Sequence, residues 1–158
     1  MFLFLSFSLY LIFSFLFFKI MTLDETTGYT ICRIARKIHY RVDDLFKPYG
    51  LTVEQWVALK SIEEHAPLYQ KELALVIEKN QNTVKSLVSH LEAKGFITRT
   101  VDPKDKRNLM LSVTEKGRAL IRPLSVIDEK ANTDFFSHFS PEEMKALETL
   151  LAKVEEQL

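Results

Sequence analysis

The run Asn80-Gln-Asn-Thr-Val-Lys-Ser-Leu-Val-Ser-His-Leu-Glu-Ala-Lys-Gly95, followed at once by Phe96-Ile-Thr-Arg-Thr-Val-Asp-Pro-Lys-Asp-Lys-Arg-Asn-Leu-Met-Leu-Ser-Val113, decides the fold. In the first part Val84, Leu87, Val88 and Leu91 recur at intervals of three and four, which gathers apolar side chains on one face of a helix. Asn80 is suited to cap its start and Gly95 to stop it after Lys94. In the second part Phe96 to Val101 and Leu109 to Val113 are rich in β-branched and apolar residues, and the charged, proline-containing stretch from Asp102 to Asn108 joins them as a hairpin.

Upstream, a short helix from about Gln70 to Ile77 buries Leu73, Ala74 and Ile77, so two short helices stand in tandem before the hairpin. That order is a helix-turn-helix with a wing. Thr52 starts an earlier helix, with Gln55 as the reciprocal capping partner, Trp56, Leu59 and Ile62 on its buried face, and Pro67 closing it. Before it, Ile31, Ile34, Ala35, Ile38, Val42, Leu45 and Phe46 mark a long amphipathic helix from Thr26 to Lys47, ended by Pro48-Tyr-Gly50.

Downstream, Thr114 starts a fifth helix, which Pro123 is expected to kink or break. Ser140-Pro-Glu-Glu143 combines an N-cap, a proline at the first helical position and a capping-box glutamate. Met144, Leu147, Leu150, Leu151, Val154 and Leu158 follow as an apolar stripe too large to leave in water, which points to a homodimer. The expected class is mainly α with a small β-wing: one winged helix-turn-helix domain over residues 21–158, dimerising through its N- and C-terminal helices.

Phe2 to Phe18 form an uncharged apolar run close to the roughly 20 residues that span a bilayer. Residues 1–20 are therefore either a true anchor or translated sequence upstream of a natural start at Met21. The second is preferred, because composition turns to that of an ordinary soluble domain after Met21, and a membrane is a partner only if the extension is real. If the anchor is real, Lys19, Arg33, Arg36 and Lys37 on its C-terminal side would hold the domain in the cytoplasm, so the DNA-binding part is expected to face the cytoplasm either way.

The 158 residues carry no net charge, yet the charge is segregated. Asn80 to Asn108 carry +3, whereas Asp128 to the C-terminus carries −5. The first region suits phosphate and the second repels it. A single cysteine, Cys32, rules out an intrachain disulfide, and the four histidines, His39, His65, His90 and His138, are too scattered to hold a metal. With four glycines and no Ser-His-Asp arrangement or phosphate loop, the chain offers no enzyme chemistry and calls for no cofactor.

Opposite the apolar face, the helix from Gln81 to Lys94 presents polar side chains that fit double-stranded DNA. A recognition helix enters the major groove by its N-terminal end, where short amides pair with base edges while lysines and hydroxyls hold phosphates. Gln81, Asn82 and Ser86 are the candidate base readers, and Thr83, Lys85 and Ser89 the backbone contacts. Arg99, Lys104 and Lys106 add positive charge, and Asp105-Lys-Arg107 puts a guanidinium, oriented by a carboxylate, where it can enter a narrow minor groove. An ordinary solvated helix face and a charged turn are the bland alternatives, and a winged helix used for protein contacts alone is another.

Leu91-Glu-Ala-Lys-Gly-Phe-Ile97, Asp102-Pro-Lys-Asp-Lys-Arg107 and Leu111-Ser-Val-Thr-Glu-Lys-Gly117 together resemble the signature of the MarR (multiple antibiotic resistance regulator) family, from about Thr26 to the C-terminus. The resemblance implies a triangular helical dimer with winged domains at two corners, bound to a pseudo-palindromic operator as a repressor and released by a small ligand. It makes Arg107 the minor-groove arginine and Asp105 its orienting partner. Tyr69 departs from the usual capping Thr or Ser, and Leu109 from a frequent polar residue. It also points to Arg36, His39, Tyr40 and Trp56 as candidates for holding an aromatic or anionic effector, although a Trp at this helical spacing is more often a core residue. In the peroxide-sensing branch, the cysteine position corresponds here to Gly28 and the tyrosine positions to Val42 and Val53, so that triad is absent and Cys32 is expected to be a buried or half-buried structural thiol.

Overall fold

The computed structural model describes residues 22–102 and 108–158. The apolar extension at 1–20, Met21 and the wing-tip residues Lys104, Asp105, Lys106 and Arg107 lie outside the described residues. The chain divides into two compact units, one ending at Tyr40 and the other running from Arg41 to Leu158. Among the described residues no helix is long and apolar enough to cross a membrane.

Among the described residues, six α-helices and three strands follow one another: α1 (Thr27–Phe46), α2 (Val53–Glu64), β1 (Leu68–Tyr69), α3 (Gln70–Val76), α4 (Gln81–Ala93), β2 (Ile97–Val101), β3 (Leu109–Val113), α5 (Glu115–Phe135) and α6 (Pro141–Glu155). In the first unit a single 3-10 turn, Leu23–Glu25, precedes α1, and Arg33 pairs with Asp24 at 3.4 Å. Ile31 and Ile34 are exposed there. Cys32 is exposed as well, contrary to the expected burial, because it lies on a stretch whose own apolar neighbours are uncovered in one chain.

The second unit holds the core. Phe46, Leu59, Ile62, Leu73, Val84, Val88, Leu91, Ile97, Leu111 and Leu124 are fully buried, each contributing about 1.5 to 3 kcal/mol through removal of apolar surface from water. These residues come from α1 to α5 and from both long strands, so the helix-turn-helix and the sheet share one core. The sheet is three-stranded and antiparallel in the order β1-β3-β2. Leu68 and Tyr69 pair with Leu111 and Met110, and Ile97 to Val101 pair with Val113 to Leu109. Strand β1 was not expected; two residues after a proline carry no alternation that could announce a strand.

Caps position the helices much as their residue types demand. Asn80 Oδ1 accepts from the Thr83 amide at 2.9 Å, and Gly95 takes the left-handed conformation (φ 74°) that closes α4 and returns the chain to β2. Ser140 and Glu143 form the full capping box at α6, with Pro141 in its first turn. The box expected at α2 is only half made. Thr52 Oγ1 accepts from the Gln55 amide at 3.3 Å, but the Gln55 side chain is buried and accepts from Lys94 Nζ at 2.6 Å instead. A cationic donor outcompetes a backbone amide for that oxygen, and Asp43 Oδ1 accepts from the neighbouring Val53 amide at 3.2 Å.

Pro123 does not break α5, which runs unbroken from Glu115 to Phe135. The carbonyl left without a donor, that of Ala119, lies with Pro123 on an exposed stretch where water can satisfy it, while Ile121 and Leu124 are held in the core. Gly117 in the first turn of α5 lies against β-strand ends: a Cβ there would collide with the Phe96 carbonyl oxygen and sit 2.7 Å from Val113 Cγ1. No residue of α6 is buried, and Leu150, Leu151 and Val154 are 60%, 45% and 47% exposed.

Candidate nucleic-acid interface

Helix α4 is pinned by its apolar face. Val84, Leu87, Val88 and Leu91 are buried, so the opposite face is turned to solvent by packing rather than by preference. On it Asn82, Lys85 and Ser89 are exposed, and their side chains make no hydrogen bond or ion pair with any described residue. An amide, an ammonium and a hydroxyl are thus available on one helix. Ser86 is exposed too, with its hydroxyl 3.4 Å from His90 Nδ1 one turn on.

Two expected contacts are already partly committed. Gln81 Nε2 donates to the Lys71 carbonyl at 3.3 Å, which ties the start of α4 to α3 but leaves its amide oxygen available. Thr83 Oγ1 donates to Asn80 Oδ1 at 3.1 Å, so this hydroxyl reinforces the cap and keeps only acceptor capacity. The exposed start of the helix retains the partial positive charge of its amides, which favours a phosphate.

Arg99, on β2, donates through Nη2 to Glu92 Oε2 near the end of α4. Through that hydrogen bond first, and through its charge, the guanidinium holds the Glu92 carboxyl below the usual carboxylate range. Arg99 therefore braces the hairpin against α4, while its planar fork keeps further N–H donors for a phosphate. Nothing in the sequence pairs Glu92 with Arg99, since the turn between them had to fold back first. Tyr69 is the other residue that sequence reasoning left unused: its hydroxyl donates to Asp102 at the end of β2. His90 was also missed, although its spacing of four from Ser86 and eight from Asn82 puts it on their face.

The candidate effector residues are spread over the two units. In the first, Arg36 and Tyr40 are exposed, His39 is half-buried, the Arg36 guanidinium lies 5.9 Å from the Tyr29 ring, and the His39 and Tyr40 rings meet edge-on at 6.1 Å. In the second, Trp56 is only 3% exposed, packs on Phe46 with ring centroids 5.3 Å apart, and spends its indole N–H on Asp128. Its contacts are those of a core residue. A hollow of about 340 Å³ between the last turns of α1 and α5 is lined by Arg41, Asp44, Leu45, Ala131, Asp134 and Phe135. Two carboxylates against one guanidinium make it a poor seat for an anion.

The model of the MarR family matches residues 51–109, the span from the start of α2 to the first residue of β3. A probable transcriptional regulator from Pseudomonas aeruginosa is 31% identical, the alignment covering 84% of this chain and 99% of that one, with a TM-score of 0.72. The chain belongs to the MarR family. As a MarR-family protein it is a DNA-binding transcription regulator and not an enzyme. MepR of S. aureus, solved as a DNA complex, is 26% identical over 84% of this MarR-family chain and 98% of its own, with a TM-score of 0.81. CouR from Rhodococcus jostii RHA1, solved bound to p-coumaroyl-CoA, shares the fold at 24% identity, covering 85% and 94% of the two chains with a TM-score of 0.74.

Proposed function

We propose that residues 21–158 act as a homodimeric, ligand-responsive repressor that grips a pseudo-palindromic operator with two copies of α4 and two wings. The observation that carries this reading is the uncommitted polar face of α4, where Asn82, Lys85 and Ser89 stand exposed opposite a fully buried apolar face. Asn82, Gln81 and Ser86 read base edges; Lys85, Ser89 and Thr83 hold the phosphates beside them. Arg99 adds a phosphate contact from β2. Lys104, Lys106 and Arg107, with Asp105 orienting the last, serve the minor groove. MepR was solved on DNA, and the likeness to it supports the assignment.

The dimer is formed by apolar surface that one chain leaves uncovered. Leu150, Leu151 and Val154 on α6 supply part of it, and Ile31 and Ile34 on α1 another. The effector is aromatic or anionic and is held by Arg36, His39 and Tyr40 of the first unit, whereas Trp56 serves the core of the second. The same fold holds p-coumaroyl-CoA in CouR, a ligand with both chemistries.

The test is a titration of wild type, Asn82→Ala and Lys85→Ala against a duplex selected by wild type from a random pool and against a scrambled duplex, at two salt concentrations. Wild-type affinity should fall steeply with salt. Asn82→Ala should lose about 1 to 3 kcal/mol on the selected duplex and little on the scrambled one, whereas Lys85→Ala should weaken both alike. Wild-type binding that ignores both salt and sequence would overturn the reading.

A further inference from the structure

The hairpin is joined to the helix-turn-helix at a small root. On one side of central strand β3, β1 contributes only two residues, Leu68 and Tyr69, paired with Leu111 and Met110. On the other side β2 runs along β3 as far as Val101 opposite Leu109, and the Asp102 amide extends the ladder by donating to the Asn108 carbonyl at 3.1 Å. Among the described residues, a side-chain bond that spans β3 links the start of the helix-turn-helix to the end of β2. Tyr69 Oη donates to Asp102 Oδ2 at 2.6 Å.

Both partners are held from behind. Tyr69 is the N-cap of α3, and its backbone amide donates to Glu72 Oε2 at 3.0 Å, so the ring starts from a fixed point at the head of the helix-turn-helix. Asp102 is 9% exposed, a carboxylate drawn out of water at the position from which the chain leaves for the wing tip. Burying a carboxylate is unfavourable unless donors meet it, and a phenol at 2.6 Å is a short, charge-assisted donor. A small rotation between β2 and β1 at the root becomes a large displacement further along a two-stranded ribbon, whose twist is larger than that of a wider sheet.

We propose that Tyr69 and Asp102 are positioning residues for DNA binding, setting the direction in which the β2–β3 hairpin leaves the helix-turn-helix without touching DNA themselves. The proposal rests on the reading above that the wing contacts DNA. Tyr69 is then no imperfect substitute for a capping Ser or Thr. It gives up the side-chain cap, leaving Glu72 to satisfy one amide, and uses its length to reach a strand that a short hydroxyl residue cannot reach.

The experiment measures affinity and its salt dependence on the duplex selected by wild type, together with helicity and thermal midpoint, for Tyr69→Phe, Asp102→Ala, their combination, Asp102→Asn and Arg107→Ala in the full chain. Tyr69→Phe should bind about tenfold more weakly with a shallower salt slope, because fewer phosphates are neutralised when the hairpin is misdirected. Asp102→Ala should do the same, the double variant should be no worse than either single one, and Asp102→Asn, which still accepts from the phenol, should retain most of the affinity. Loss for Arg107→Ala but not for Tyr69→Phe overturns this proposal alone. Loss for neither overturns the wing reading with it. An affinity loss with an unchanged salt slope, or single losses that add in the double variant, also overturns the proposal, since a general weakening of the fold predicts those results. If Tyr69→Phe loses helicity, Asp102→Asn decides: a loss as large as that of Asp102→Ala overturns it.

Discussion

The indole N–H of Trp56 donates to Asp128 Oδ2 at 3.0 Å, joining α2 to α5 through a half-buried carboxylate. Trp56→Phe fills much of the same space but removes the donor and leaves that oxygen without it. The variant should lose about 2 kcal/mol of stability. Asp128→Asn keeps an acceptor and should cost less than about 1 kcal/mol. Urea unfolding followed by far-ultraviolet dichroism compares the two.

Glu92 and Arg99 predict a dependence on pH. Arg99 lowers the Glu92 pKa in the folded chain, so the unfolded chain binds the proton more readily. The stabilisation is present above the unfolded value, near the ordinary glutamate pKa of about 4.3, and is lost as pH falls through the lower folded value. Wild type should therefore exceed Glu92→Gln in stability at neutral pH, and the difference should shrink on acidification through that range. Denaturant midpoints of both proteins across the acid range measure it.

Gly117 is required by space, not by backbone conformation. A methyl group there meets the Phe96 carbonyl and Val113 Cγ1, neither of which can swing away, since Phe96 carries the turn into β2 and Val113 ends β3. Gly117→Ala should cost about 2 to 3 kcal/mol despite the better helix propensity of alanine. Its thermal midpoint should fall clearly below that of Gly28→Ala, where nothing lies within 4 Å of the new atom.

Charging the exposed stripe on α6 should separate the proposed dimer. Leu151 is 45% exposed in a single chain, so Leu151→Glu places a carboxylate in water in the monomer but in an apolar interface in the dimer. Sedimentation at micromolar concentration should show wild type as a dimer and the variant shifted to monomer, with helicity retained.

Helix starts and stops were the most legible part of the fold, because each depends on a few adjacent residues. Asn80, Gly95, Thr114 and the Ser140-Pro-Glu-Glu143 box all sit where their chemistry places them. What escaped depends on partners distant in sequence. Gln55 was drawn from its cap by Lys94, and β1 exists only because β3 offers an edge to it. The helix is not broken at Pro123 for a related reason: the local penalty is real, but burial of Ile121 and Leu124 on either side outweighs it. At the candidate interface the exposed face of α4 followed from its apolar spacing, whereas the commitments of Gln81 and Arg99 required the packed turn between α3 and α4 and the hairpin beside it.

The sheet order β1-β3-β2 also has a consequence for how the protein is made. Strand β1 leaves the ribosome before either helix of the helix-turn-helix, but its partner β3 is synthesised only after both of them and after β2. Leu111 pairs with Leu68 on one side and Arg99 on the other, so the ring that encloses α3 and α4 closes last, over a long loop whose entropy must be lost before any contact rewards it. A nascent chain halted within the wing has made every residue of the recognition helix and still lacks the strand that closes the sheet onto β1.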